Sequence, residues 1–118
     1  MEKSRDLKIR TTEFVLQVVR LVRTVPAGLA TEVIVRQLIR SATSVGANYR
    51  AACRARSKAE FEAKLHIVME EADECVYWLE LLVALEFVSQ ETALQVRQEA
   101  SELTAIFVAG LKTSRSKA

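Results

Sequence analysis

His66 is the only histidine in the chain, and it opens the series His66, Glu70, Glu74, one side chain every four residues. On a helix that spacing stacks the three on one face, a set of donors with some capacity for a metal ion. Three ligands from a single helix, with none evident on a partner helix, make a poor site, and neither metal nor cofactor is expected. A carboxylate–histidine di-iron centre is excluded, because bundles of that kind need a second Glu-x-x-His. Cys53 and Cys75 have no recognisable base beside them and read as small, reduced, buried hydrophobes of a cytoplasmic protein. The acidic group Glu70, Glu71, Asp73 and Glu74 reads as a solvated or salt-bridged face. With 3 glycines and no GxGxxG or Walker-type run, phosphate-loop chemistry is excluded as well. These residues point to a protein that is not an enzyme.

The basic residues are more telling. Net charge is only +2, but the charges are sorted along the chain. From Val33 to Ala59 stand Arg36, Arg40, Arg50, Arg54, Arg56 and Lys58 with no acidic residue, and Glu60 to Glu74 holds six acidic residues and one lysine. Arg36, Arg40, Arg50 and Arg54 fall within about 80° on a helical wheel. Such a stripe suits a nucleic-acid backbone, with Arg50, Arg54, Arg56 and Lys58 as the contacting residues. The competing expectation is ion pairing. If the chain folds as a hairpin about Arg56, Arg40 comes level with Glu74, Arg50 with residues near Glu62, and His66 with Asn48. Both readings stand at this point.

The elements that must position these residues are helices. Half the residues are hydrophobic, and 3 Gly with 1 Pro cannot punctuate a strand-rich fold. Four segments carry apolar residues at helical spacing, at about 7–24, 29–53, 58–87 and 90–111. Pro26 and Gly28 close the first. Ser57-Lys58-Ala59-Glu60 forms a capping box for the third, and Ser89 caps the fourth. Phe61, Leu65, Val68, Ala72, Cys75, Leu79 and Leu82 make a heptad seam, the packing of an antiparallel up-down-up-down four-helix bundle. Gly46 sits in a run of small residues, Ser41 to Ala47, which predicts a close helix crossing. The tail from Lys112 is short, basic and expected to fray. Met1 to Arg10 is polar, so no signal peptide is expected, and no apolar run is long enough for a membrane.

One apolar stripe per helix suffices for a monomeric bundle, and this chain has more. Val35 and Ile39 lie beside the core stripe of the second helix, and Trp78 lies off the seam of the third. The surplus predicts a homo-oligomer with Val35, Ile39 and Trp78 in subunit contacts.

The run Arg36-Gln37-Leu38-Ile39-Arg40-Ser41-Ala42-Thr43-Ser44-Val45-Gly46-Ala47-Asn48 resembles the signature of the bacterial four-helix-bundle proteins. That is the family of the ribosomal-RNA intervening-sequence proteins, to which diversity-generating-retroelement accessory variability proteins are similar. Arg56-Ser57-Lys58-Ala59-Glu60-Phe61 looks like the family's entry into its third helix, and Glu74 stands where it usually keeps a Glu. The likeness runs from about Phe14 to Phe107. It implies a bundle that assembles into a ring, commonly a pentamer, without catalytic activity. In the retroelement relatives the ring presents a basic surface to nucleic acid and to a reverse transcriptase, which makes both implied partners here. Two departures touch the end of the second helix: Gly46 replaces a common Pro, and Ala51-Ala52 a common Glu-Gly.

Overall fold

A computed structural model describes residues 2–117, with side chains from Asp6 onward. Four helices follow one another: α1 (Glu2–Val22), α2 (Leu29–Cys53), α3 (Lys58–Ala84) and α4 (Gln90–Ser116). They pack as the four sides of a bundle, α1 on α2, α2 on α3, α3 on α4 and α4 back on α1, and among the described residues the diagonal helices meet through core side chains rather than by close backbone approach. The short connections at 23–28, 54–57 and 85–89 make sequential helices antiparallel neighbours, as the sequence predicts. The bundle measures 49 × 21 × 21 Å.

The core is built from the expected seams. Phe14, Val18 and Leu21 of α1 meet Ile34, Leu38, Ala42, Val45 and Tyr49 of α2. Leu65, Val68, Ala72, Cys75, Leu79 and Leu82 of α3 meet Val96, Ala100, Leu103, Phe107 and Leu111 of α4. Each fully buried Leu, Val or Phe contributes about 1.5–3 kcal/mol of transfer free energy, so these rows dominate the stability. Gly46 does lie against α1, but a Cβ there would meet Val15 Cγ2 at 3.6 Å, an ordinary contact. The small residue is therefore not demanded by the crossing.

Helix ends follow their caps. Ser57 Oγ accepts from the Glu60 N–H at 3.0 Å, and Ser89 Oγ from the Thr92 N–H at 3.0 Å, both as expected. The Glu60 carboxylate, instead of reaching back to Ser57, accepts from the Arg56 N–H at 3.4 Å. Three helix boundaries differ from the sequence expectation. Helix α1 starts at Glu2, and α4 continues to Ser116 where fraying was expected. Helix α3 stops at Ala84 rather than near Phe87, because Glu86 takes φ 63°. The Glu86 and Phe87 N–H groups then bond back to the Val83 and Leu82 carbonyls, a Schellman closure with a glutamate where glycine is usual.

Candidate nucleic-acid interface

The Arg stripe of α2 divides in two along its length. Arg36 bonds Glu32 one turn back at 2.8 Å. Arg40 reaches across to α3, to Glu71 at 2.9 Å and to the expected Glu74 at 3.0 Å. Ser41 Oγ joins Glu74 at 3.3 Å, so the centre of α2 is tied to α3 by a polar network. Burial tends to raise the pKa of Glu71, but the hydrogen bonds from Arg40 and Ser44 outweigh it and hold this carboxyl below the usual range.

Beyond this network the pairing stops. Arg50, Arg54, Arg56 and Lys58 are exposed, and none has an ion pair among the described side chains. The expected pairing of Arg50 near Glu62 does not form. Glu62 instead accepts from Ser114 Oγ of α4 at 2.6 Å. Arg50 lies beside Lys8, Ile9, Thr12 and Glu13 of α1, along an open depression. Sequence reasoning about α2 and α3 missed the neighbours that α4 brings. Because α4 stays helical to Ser116, its basic residues Lys112 and Arg115, with Lys117 just after it, reach this same end of the bundle. Lys58 Nζ donates to the Lys117 carbonyl, which fastens the two elements together. The signal available in sequence was the basic composition of that tail.

The metal-like series is not gathered into a site. His66 Nε2 lies 3.6 Å from Glu70, but Glu74 is engaged by Arg40 and Ser41. His66 is exposed and Asn48 does not bond it; Asn48 Nδ2 instead donates to Ser44 on its own helix. Among the described residues no group of three His, Cys, Asp or Glu side chains is placed to hold a metal ion. Both cysteines are free thiols. Burial, then the nearby Glu71 and Glu74, pushes the Cys75 thiol up to about 12, far from a nucleophilic thiolate.

The three residues expected at a subunit contact are partly used within the chain. Val35 and Trp78 are half-buried against the core, and Ile39 is half-buried. More exposed apolar side chains lie elsewhere: Leu29, 83% exposed, with Val33, Tyr77 and Leu85. No helix among the described residues is long and apolar enough to cross a membrane.

These features define an all-α, up-and-down four-helix bundle with one cationic end. The chain belongs to the 23S rRNA-intervening sequence protein family, whose sequence model matches residues 5–109. It is also similar to a solved protein of unknown function from the S23 ribosomal protein family of Bacteroides thetaiotaomicron VPI-5482. The two are 34% identical with a TM-score of 0.80, over 90% of this chain and 98% of that one. No curated protein matches the chain.

Proposed function

We propose that this protein binds the phosphate backbone of RNA or DNA through the end of the bundle formed by the α2–α3 turn, and that it does so without catalysing a reaction. The observation that carries the reading is the division of the Arg stripe. Arg36 and Arg40 are spent on Glu32, Glu71 and Glu74, whereas Arg50, Arg54, Arg56 and Lys58 project into solvent with no such partner among the described side chains. Exposed guanidinium and ammonium groups neutralise phosphates and release condensed counterions, so affinity depends steeply on salt. The test is a salt titration with a structured RNA and a DNA duplex. Replacing Arg54, Arg56 and Lys58 together by Gln should weaken binding about tenfold and flatten the salt dependence by about one phosphate contact per residue removed. No binding by the unaltered protein at low salt, or unchanged binding by the triple variant, would refute this interface.

Self-association belongs to the same reading, with a ring, commonly pentameric, as the resemblance implies, and a reverse-transcriptase-type protein as a candidate partner. The exposed Leu29, Val33 and Leu85 support it, together with the half-buried Val35, Ile39 and Trp78 beside the core. Light scattering should return a multiple of the 13.2 kDa subunit mass. A clean monomer at micromolar concentration would remove the assembly from the proposal. The scaffold alternative, assembly without nucleic acid, is favoured by the same apolar residues, and the salt titration separates the two.

A further inference from the structure

We infer that the last turns of α4 form the second half of the phosphate-binding surface, with Lys112 and Arg115 as contacting residues and Ser114 as the residue that positions them. The inference rests on the nucleic-acid reading above and adds to it a part of the chain outside the α2–α3 turn.

Leu111 is buried in the core and Ser114 is half-buried, its hydroxyl donating to Glu62 of α3 at 2.6 Å. Lys58 Nζ donates to the Lys117 carbonyl just past the end of α4. The cations therefore ride on a docked helix rather than on a loose tail, and little ordering entropy is spent when they meet a ligand.

Arg97 and Glu80 pair across the α3–α4 groove at 2.6 Å. Arg115 stands eighteen residues after Arg97, about five turns at 3.6 residues each, so it occupies the same stripe of α4. Glu62 stands eighteen residues before Glu80 and occupies the corresponding stripe of α3. The spacing thus repeats at the α2–α3 turn end of the groove, but there Glu62 Oε2 accepts from Ser114 and no ion pair to Arg115 forms among the described side chains. Arg115 has no ion pair among the described side chains, and Lys58, within a turn of Glu62 on α3, adds a second cation to the same groove. Lys112, one turn earlier on α4, is exposed beside them. Cations at a helix C-terminus are also favoured by the helix dipole, which helps to keep the segment helical.

The experiment uses the full chain and two probes, an RNA hairpin and a DNA duplex, titrated by fluorescence anisotropy at about 50 and 200 mM salt. The Lys112→Gln/Arg115→Gln variant should bind both probes about tenfold more weakly. Its plot of log affinity against log salt should be shallower by roughly two phosphate contacts. Ser114→Ala keeps every cation, and should weaken binding two- to threefold with an unchanged helical circular-dichroism signal, which isolates positioning from charge. Loss confined to one probe supports the surface and names the nucleic acid it serves. If Lys112→Gln/Arg115→Gln binds like the parent while Arg54→Gln/Arg56→Gln does not, the inference falls and the proposed interface at the turn stands. If the parent binds neither probe at the lower salt, both fall.

Discussion

Replacing Phe107 by alanine should lower the stability of the bundle by about 3–5 kcal/mol, read as a shift in the midpoint of urea unfolding with its slope unchanged. Phe107 is 1% exposed, and its ring centroid lies 5.5 Å from that of Tyr49, tilted by 41°. Truncation removes the ring from a close-packed layer between α2 and α4 and leaves a void that the helices can only partly close. It also dissolves an aromatic pair worth about 0.5–1.5 kcal/mol beyond its buried area. Phe107→Leu keeps most of the volume and should cost under about 1.5 kcal/mol. Equal losses in the two variants would mean that the ring is not packed as described. Both must be compared at one protein concentration, since self-association would add to apparent stability.

Arg40→Met should have the second largest effect, about 2 kcal/mol of stability at neutral pH. Methionine preserves the apolar stem and removes the charge. Glu71, whose side chain is only 13% exposed, then keeps its desolvation without the guanidinium that compensates it. Losing one partner of a fully buried pair costs about 3–5 kcal/mol; Arg40 is 49% exposed, so screening by water brings the expectation down to about 2 kcal/mol. The pH dependence separates charge from packing. The Glu71 carboxyl is held below its ordinary value of 4.5 in the folded state. Its contribution is therefore complete above that value and is lost as pH falls through the lower folded pKa. The gap between parent and variant should be widest near neutral pH, begin to narrow as pH falls through the raised Glu71 pKa of the variant, and close once pH is below the lowered pKa of the parent. A gap that persists undiminished at about pH 3 would assign the loss to packing instead.

The bundle was legible because its seams are written locally. Phe61 to Leu82 repeat every three and four residues, and Ser57 and Ser89 mark helix starts with hydroxyls that accept from backbone N–H groups three residues on. The Arg40–Glu74 contact was legible for a related reason: a four-residue turn fixes the register of the α2–α3 hairpin, so levels can be counted across it. Counting failed for Arg50 and His66. Level is only one coordinate; which way each side chain faces depends on α1 and α4, which a two-helix register leaves out. Glu62 went to Ser114, more than fifty residues away, through a contact that no local pattern records. The end of α3 was missed because a glutamate, rather than glycine, adopts the left-handed conformation that closes it.

The arrangement of charge on an elongated particle has a kinetic consequence. Seven of the 17 lysines and arginines, Arg50, Arg54, Arg56, Lys58, Lys112, Arg115 and Lys117, crowd one tip of a rod 49 Å long and outnumber Glu60 and Glu62 there, while toward the other tip Arg20, Arg23, Arg36 and Arg97 are balanced by Glu32, Glu80, Glu86 and Glu91. A rod so polarised carries a permanent moment along its axis. In the field of a polyanion it experiences a torque before it experiences a contact, and it arrives tip first. Much of the rotational search that slows ordinary docking is then finished at a distance, until added salt shortens the reach of the field to less than the rod's own length.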